Sequence, residues 1–257
     1  MKGIILLLVL AVTVWGCDAP PTQSTSGGSN DLSGSLSDQS QNTAAWPSPA
    51  PKGKEVQLAA NVLMENYYIV FDGSGSMDEK ACGSNQKKVV VGKQALREFA
   101  KTVPAGANLG LLVFSRDGIR EVVPLGSGPK NREDFARAVE NIRADGGTPL
   151  YSAIKIAYEK LEEQARRQLG YGVYRMGVVT DGEANSGEDP TSIVNFMLKN
   201  SPVTLTTIGF CIGEKHSLNQ PGRVTYREAR DLDSLRQGLK EVLAESPVFD
   251  ATVFEKQ

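Results

Sequence analysis

From Glu55 onward, short apolar runs alternate with stretches of helical periodicity, and this alternation restricts the fold more than any other feature of the chain. It describes a parallel sheet covered by helices on both faces, because such strands are apolar throughout while each helix is apolar along one stripe only. Residues 67–71, 109–114, 176–180 and 203–210 read as central strands buried on both sides. Residues 119–125 are more polar and suit an edge strand, hairpin-joined and antiparallel to the one before, while residues 223–226 make a last short strand. Val89, Leu96, Phe99 and Val103 share one helical face, as do Leu150, Ile154, Ala157 and Leu161. A third stripe runs through Leu232, Leu235, Leu239, Val242 and Leu243, with Asp231 or Asp233 as N-cap and Ser246-Pro247 as its stop. Residues 248–254 can add a terminal strand or pack over the sheet. The expected fold is α/β: a doubly wound, mostly parallel central sheet with helices on both faces and an antiparallel edge strand.

The 257 residues, 40% of them hydrophobic, suffice for one full domain with an appendage. Lys and Arg number 28 against 30 Asp and Glu, so no excess of positive charge draws the chain to nucleic acid. Three cysteines are too few for a disulfide scaffold, and no Cys/His cluster offers the ligands of a structural zinc. With His216 as the sole histidine, placed in a polar loop, it reads as a solvated side chain.

Residues 4–14 form an apolar run of about 11 residues, short of the ~20 that span a bilayer, and read as the core of a signal peptide over residues 1–16. The following Val14-Trp15-Gly16-Cys17 resembles the lipobox of bacterial lipoproteins, which implies acylation of Cys17 and an anchor in the cell envelope. An ordinary secretory signal is the alternative, and both place the chain outside the cytoplasm. Asp18 after Cys17 resembles the signal that keeps Gram-negative lipoproteins in the inner membrane, which would put the protein on its periplasmic face. Residues 17–55 are rich in Ser, Gly, Gln, Asn, Thr and Pro and read as a tether, stiffened near Trp46-Pro47-Ser48-Pro49-Ala50-Pro51, with residues 56–257 as the domain. Trp46 is either a docking contact or without a role.

In a doubly wound fold, ligands bind beyond the carboxyl ends of the strands. Three segments there stand out: Asp72-Gly73-Ser74-Gly75-Ser76-Met77, Gly146-Gly147-Thr148-Pro149-Leu150 at the start of a helix, and Thr180-Asp181-Gly182-Glu183. Each alone is ordinary turn or cap chemistry, with Thr148 a plausible N-cap ahead of Pro149. Together, on one face and in this order, they supply hard oxygen ligands only. In this combination the sequence resembles the von Willebrand factor type A domain, a Rossmann-like fold carrying a metal-ion-dependent adhesion site, over residues 56–257.

The resemblance implies that Asp72, Ser74, Ser76, Thr148 and Asp181 hold Mg²⁺ or Mn²⁺, and that an acidic side chain of a protein partner completes the coordination. Mg²⁺ demands about six oxygens in octahedral array, and a site made largely of neutral hydroxyls leaves it attracting an anion. Gly73, Gly75, Gly146 and Gly147 are expected to allow positive φ and close backbone approach. The function implied is adhesion or complex assembly without turnover. A scaffold role, in which the metal only stabilises the fold, is the alternative.

Enzyme readings fare worse. A phosphatase using a strand-end aspartate needs a second carboxylate two residues on, where this chain has Ser74. A dinucleotide fold lacks its third glycine, which is Asp78 here, and no Gly-x-Ser-x-Gly elbow accompanies His216. On the resemblance, Cys82 and Cys211 both fall on the metal-binding face and can meet as a disulfide in an oxidising compartment.

Overall fold

The computed structural model describes residues 46–244. Six strands form one sheet in the order β3-β2-β1-β4-β5-β6. They are β1 (Glu65–Asp72), β2 (Asn108–Ser115), β3 (Gly118–Gly126), β4 (Val173–Thr180), β5 (Thr204–Phe210) and β6 (Thr225–Ala229). All neighbours run parallel except β3, which pairs antiparallel with β2 at the edge. The sheet is therefore the doubly wound, mostly parallel one expected.

Helices α1 (Lys88–Thr102), α2 (Gly128–Glu140) and α5 (Leu232–Leu243) cover one face, while α3 (Leu150–Arg167) and α4 (Thr191–Asn200) cover the other. The alternation of strand side chains sorts the two cores: Tyr67, Ile69 and Phe71 of β1 join the first, Tyr68 and Val70 the second. Helix α1 meets β1 with unusual closeness at Gly92, where a Cβ would lie 2.5 Å from the Phe71 ring. One turn earlier on the same face stands Lys88.

Two helices were absent from the sequence expectation. In α2 only Phe135 and Val139 are buried, so the apolar stripe is too thin to read against its charges, and α4 spans ten residues with three buried. The last strand lies over Thr225–Ala229, beyond the expected 223–226. Asp231 caps α5, accepting the Ser234 N–H while Ser234 returns the bond. That helix ends at Leu243, ahead of Ser246-Pro247. Cys17, Ser246-Pro247 and residues 248–254 lie outside the described residues.

Trp46 is a docking contact: its ring meets Tyr174 edge-on at 4.7 Å, and Ser48 bonds to Glu162 of α3. Cys82 and Cys211 form a disulfide, their Cα atoms 5.7 Å apart and 129 positions distant in the chain. A loop of that length is worth about 4–5 kcal/mol in the chain-entropy account. In denatured, unreduced protein neither residue should react with a thiol reagent; two titratable thiols there would refute the bridge.

Candidate metal centre

The carboxyl ends of β1 and β4 lie side by side at the point where the strand order reverses, where a doubly wound sheet opens a crevice. Asp72, the last residue of β1, is fully buried. Its Oδ1 accepts the Ser74 N–H at 2.7 Å, and its Oδ2 accepts the Thr180 hydroxyl at 2.6 Å. Ser74 Oγ lies 3.0 Å from Ser76 Oγ, and the Ser76 hydroxyl donates to Asp181 Oδ1 at 2.7 Å. Asp72, Ser74, Ser76 and Asp181 thus form one contiguous oxygen cluster.

Thr148 enters from the start of α3. Pro149, not Thr148, occupies the N-cap position, and no side chain caps this helix, so the threonine hydroxyl is not spent there. Asn185 fixes the Thr148 backbone from both sides, its Oδ1 accepting the Thr148 N–H and its own N–H donating to the Thr148 carbonyl, each at 3.0 Å. A Cβ on Gly182 would lie 3.7 Å from Ser76 Oγ and 3.8 Å from Thr148 Oγ1, so both hydroxyls border the same spot. The structure therefore gathers all five expected side chains.

The glycines meet the expectation in part, through close approach more than through positive φ. Of the four, only Gly146 has positive φ, at 97°. Gly73, Gly146 and Gly147 are required by crowding, since a Cβ on each would fall 2.7 Å or less from Phe114 O, Arg116 N or Asn185 Nδ2. Gly75 has room, and its N–H ties the first loop to the Gly146 carbonyl at 2.9 Å.

Three supporting residues are not among the five expected ligands. Lys88, almost wholly buried, donates to Asp181 Oδ2 at 2.9 Å and lies 3.3 Å from Glu79. Thr180 orients Asp72, and Asn185 holds Thr148. His216, expected in solvent, has a buried side chain. Its Nδ1 accepts the Leu218 N–H at 3.0 Å, and its Nε2 lies 2.9 Å from the Gly182 carbonyl. A backbone N–H can only donate and a carbonyl only accept, so Nδ1 serves as the acceptor and Nε2 as the donor. The ring pins the loop that carries Asp181.

Burial, reinforced by the nearby Asp181 carboxylate, pushes the Asp72 carboxyl from 3.8 up to about 6, against the opposing hydrogen bonds of Ser74 and Thr180. Burial pulls the Lys88 ammonium down, but hydrogen bonds and charge from Asp181 and Glu79 outweigh it and hold the group above its usual value. Asp72, Asp181 and the more exposed Glu79 set three carboxylates against the one ammonium of Lys88, so the cluster carries a net negative charge that a divalent cation would offset. The hydroxyl and carboxylate donors are those that a hard cation takes. The donor set fits a hard divalent cation.

The von Willebrand factor type A domain matches residues 66–243. An uncharacterised Bacillus subtilis protein, YwmD, is 29% identical over 157 residues, 56% of this chain and 67% of its own length. A von Willebrand factor type A structure from Catenulispora acidiphila superposes with a TM-score of 0.56 at 21% identity, covering 70% of this chain and 42% of that one. Proximal thread matrix protein 1 from the mussel byssus, solved with a zinc-occupied metal-ion-dependent adhesion site motif, gives 0.56 at 21% identity, covering 70% and 47%. The chain thus spans less than half the length of these two solved chains, and their likeness speaks for the fold. With the family pattern extending over most of the described sheet and helices, the chain belongs to the von Willebrand factor type A family.

Proposed function

We propose that this protein binds Mg²⁺ or Mn²⁺ through Asp72, Ser74, Ser76, Thr148 and Asp181 and uses the bound cation to engage an acidic side chain of a protein partner, in adhesion or complex assembly. The observation that carries this reading is the convergence of three hydroxyls and two carboxylates at one sheet end. When bound, the cation supplies a positive centre with room for one more anionic oxygen. The chain's own residues do the rest. Asp72 is locked by Ser74 and Thr180, so its charge is fixed in place. Lys88 takes up part of the negative charge of Asp181, which leaves that carboxylate a weaker donor to the ion. Asn185 and His216 hold the Thr148 and Gly182 loops. The metal-bearing neighbour among the solved structures is consistent with this reading. We further propose that the chain is exported, acylated at Cys17 and held at the envelope membrane.

Partner capture from envelope extracts, with and without EDTA, tests the proposal. Partners should be lost on chelation and restored by Mg²⁺, with the circular dichroism spectrum unchanged. Partners retained without metal would favour the second reading, a scaffold in which the ion only stiffens the domain; the hydrogen-bonded closure of the cluster on itself is what that reading has in its favour.

A further inference from the structure

Among the described residues seven large apolar side chains are exposed, and five of them, Leu58, Leu63, Leu169, Tyr171 and Val173, belong to two segments at the end of the sheet away from the metal centre. Gln168 joins the segments, its amide donating to the carbonyls of Val62, Met64 and Tyr171. The Ala59 N–H bonds the Arg167 carbonyl at 2.8 Å. Leu169 is presented from a left-handed backbone conformation, φ 54°, between α3 and β4. Residues 56–64 and 166–173 contain no Asp or Glu, and Arg166 and Arg167 flank the apolar side chains. Arg166 is paired with Glu162 at 3.3 Å, while Arg167 is exposed. Apolar side chains from two segments without acids of their own, beside an exposed guanidinium, suit acyl chains beneath lipid phosphates, and tyrosine favours that boundary.

The N-terminal segment meets the domain at the edge of this patch. A Cβ on Gly170 would lie 3.2 Å from both Pro47 Cδ and the Trp46 carbonyl, so the chain arriving from Cys17 reaches the domain beside the patch. The geometry points to a membrane-resting face: Leu63, Leu169, Tyr171 and Val173 sit against the lipid surface to which Cys17 is anchored. This inference rests on the proposed acylation of Cys17. β4 runs from the patch to the metal centre over eight residues, about 26 Å. Seated this way, the domain turns its cation site away from the membrane, toward a partner.

The test uses the acylated full-length protein in phosphatidylcholine–phosphatidylglycerol vesicles with brominated acyl chains. One sample carries a bimane label at Leu63→Cys, and a control carries it at Asp117→Cys in the β2–β3 turn at the metal end. Quenching at position 63 should exceed that at position 117 at least threefold. Adding Leu169→Ser and Tyr171→Ser to the Leu63→Cys protein should abolish the difference while vesicle flotation persists. A floating protein with equal quenching at both positions would overturn the membrane face and leave a second copy or another part of this chain as its cover. Quenching unaffected by the two serines would overturn it as well. A wild type that fails to float, like Cys17→Ala, would remove the acylation reading and this inference with it, an outcome distinct from the other two.

Discussion

Asp72→Asn should make the metal-free protein more stable and at the same time abolish cation uptake. Asparagine can keep both local bonds, its carbonyl accepting the Ser74 N–H and its amide donating to Thr180 Oγ1, whose hydroxyl can turn to the Gly182 carbonyl 3.2 Å away. What it removes is a buried charge. A carboxyl raised from 3.8 to about 6 by the fold means that ionising it there costs about 3 kcal/mol. Because this pKa is raised, the stabilisation is complete below about pH 4, falls as pH rises toward 6, and is gone above it. At pH 8 in EDTA the variant should therefore gain about 1–3 kcal/mol, a rise in Tm of about 3–9 °C for a domain of this size. At pH 4 the gain should vanish. A variant less stable than wild type at pH 8, or one that still takes up Mg²⁺, would contradict the assignment of Asp72 as a charge held ready for a cation.

Lys88→Met should act in the opposite sense. Its ammonium is the built-in counter-charge of Asp181, and removing it leaves a carboxylate without exposed surface facing Ser76 alone. Breaking a buried pair from one side costs about 3–5 kcal/mol, so the metal-free variant should melt well below wild type. The same change removes a competitor for the site's negative charge, and the Mg²⁺ dissociation constant should fall by about tenfold or more. Saturating Mg²⁺ should then recover much of the lost stability by mass action. Thermal denaturation across a magnesium series reads both effects. Destabilisation with no gain in affinity would make Lys88 a structural residue only.

The strands were legible because both faces of β1, β2, β4 and β5 are covered, which leaves unbroken apolar runs in the sequence. Asp72 and the Thr180-Asp181 pair were legible for the same reason, as polar residues at the ends of such runs. Helix α2 was not, since two buried side chains in 13 residues leave little periodicity to detect. Lys88 reads as a solvated charge opening a helix; only the close seat of Gly92 on Phe71 carries it inward to Asp181. His216 shows the limit most clearly. Its partners are one backbone group two residues away and another 34 residues away, and no pattern of residue types records such a meeting.

Manganese titration of purified wild-type protein, followed by electron paramagnetic resonance, tests the central claim most directly. The site described here predicts one ion per chain, released by EDTA, displaced by excess magnesium and lost in Thr148→Val, which removes a hydroxyl and keeps the side chain's shape. Wild-type protein that takes up no manganese, or a Thr148→Val variant that takes it up unchanged, would contradict the site.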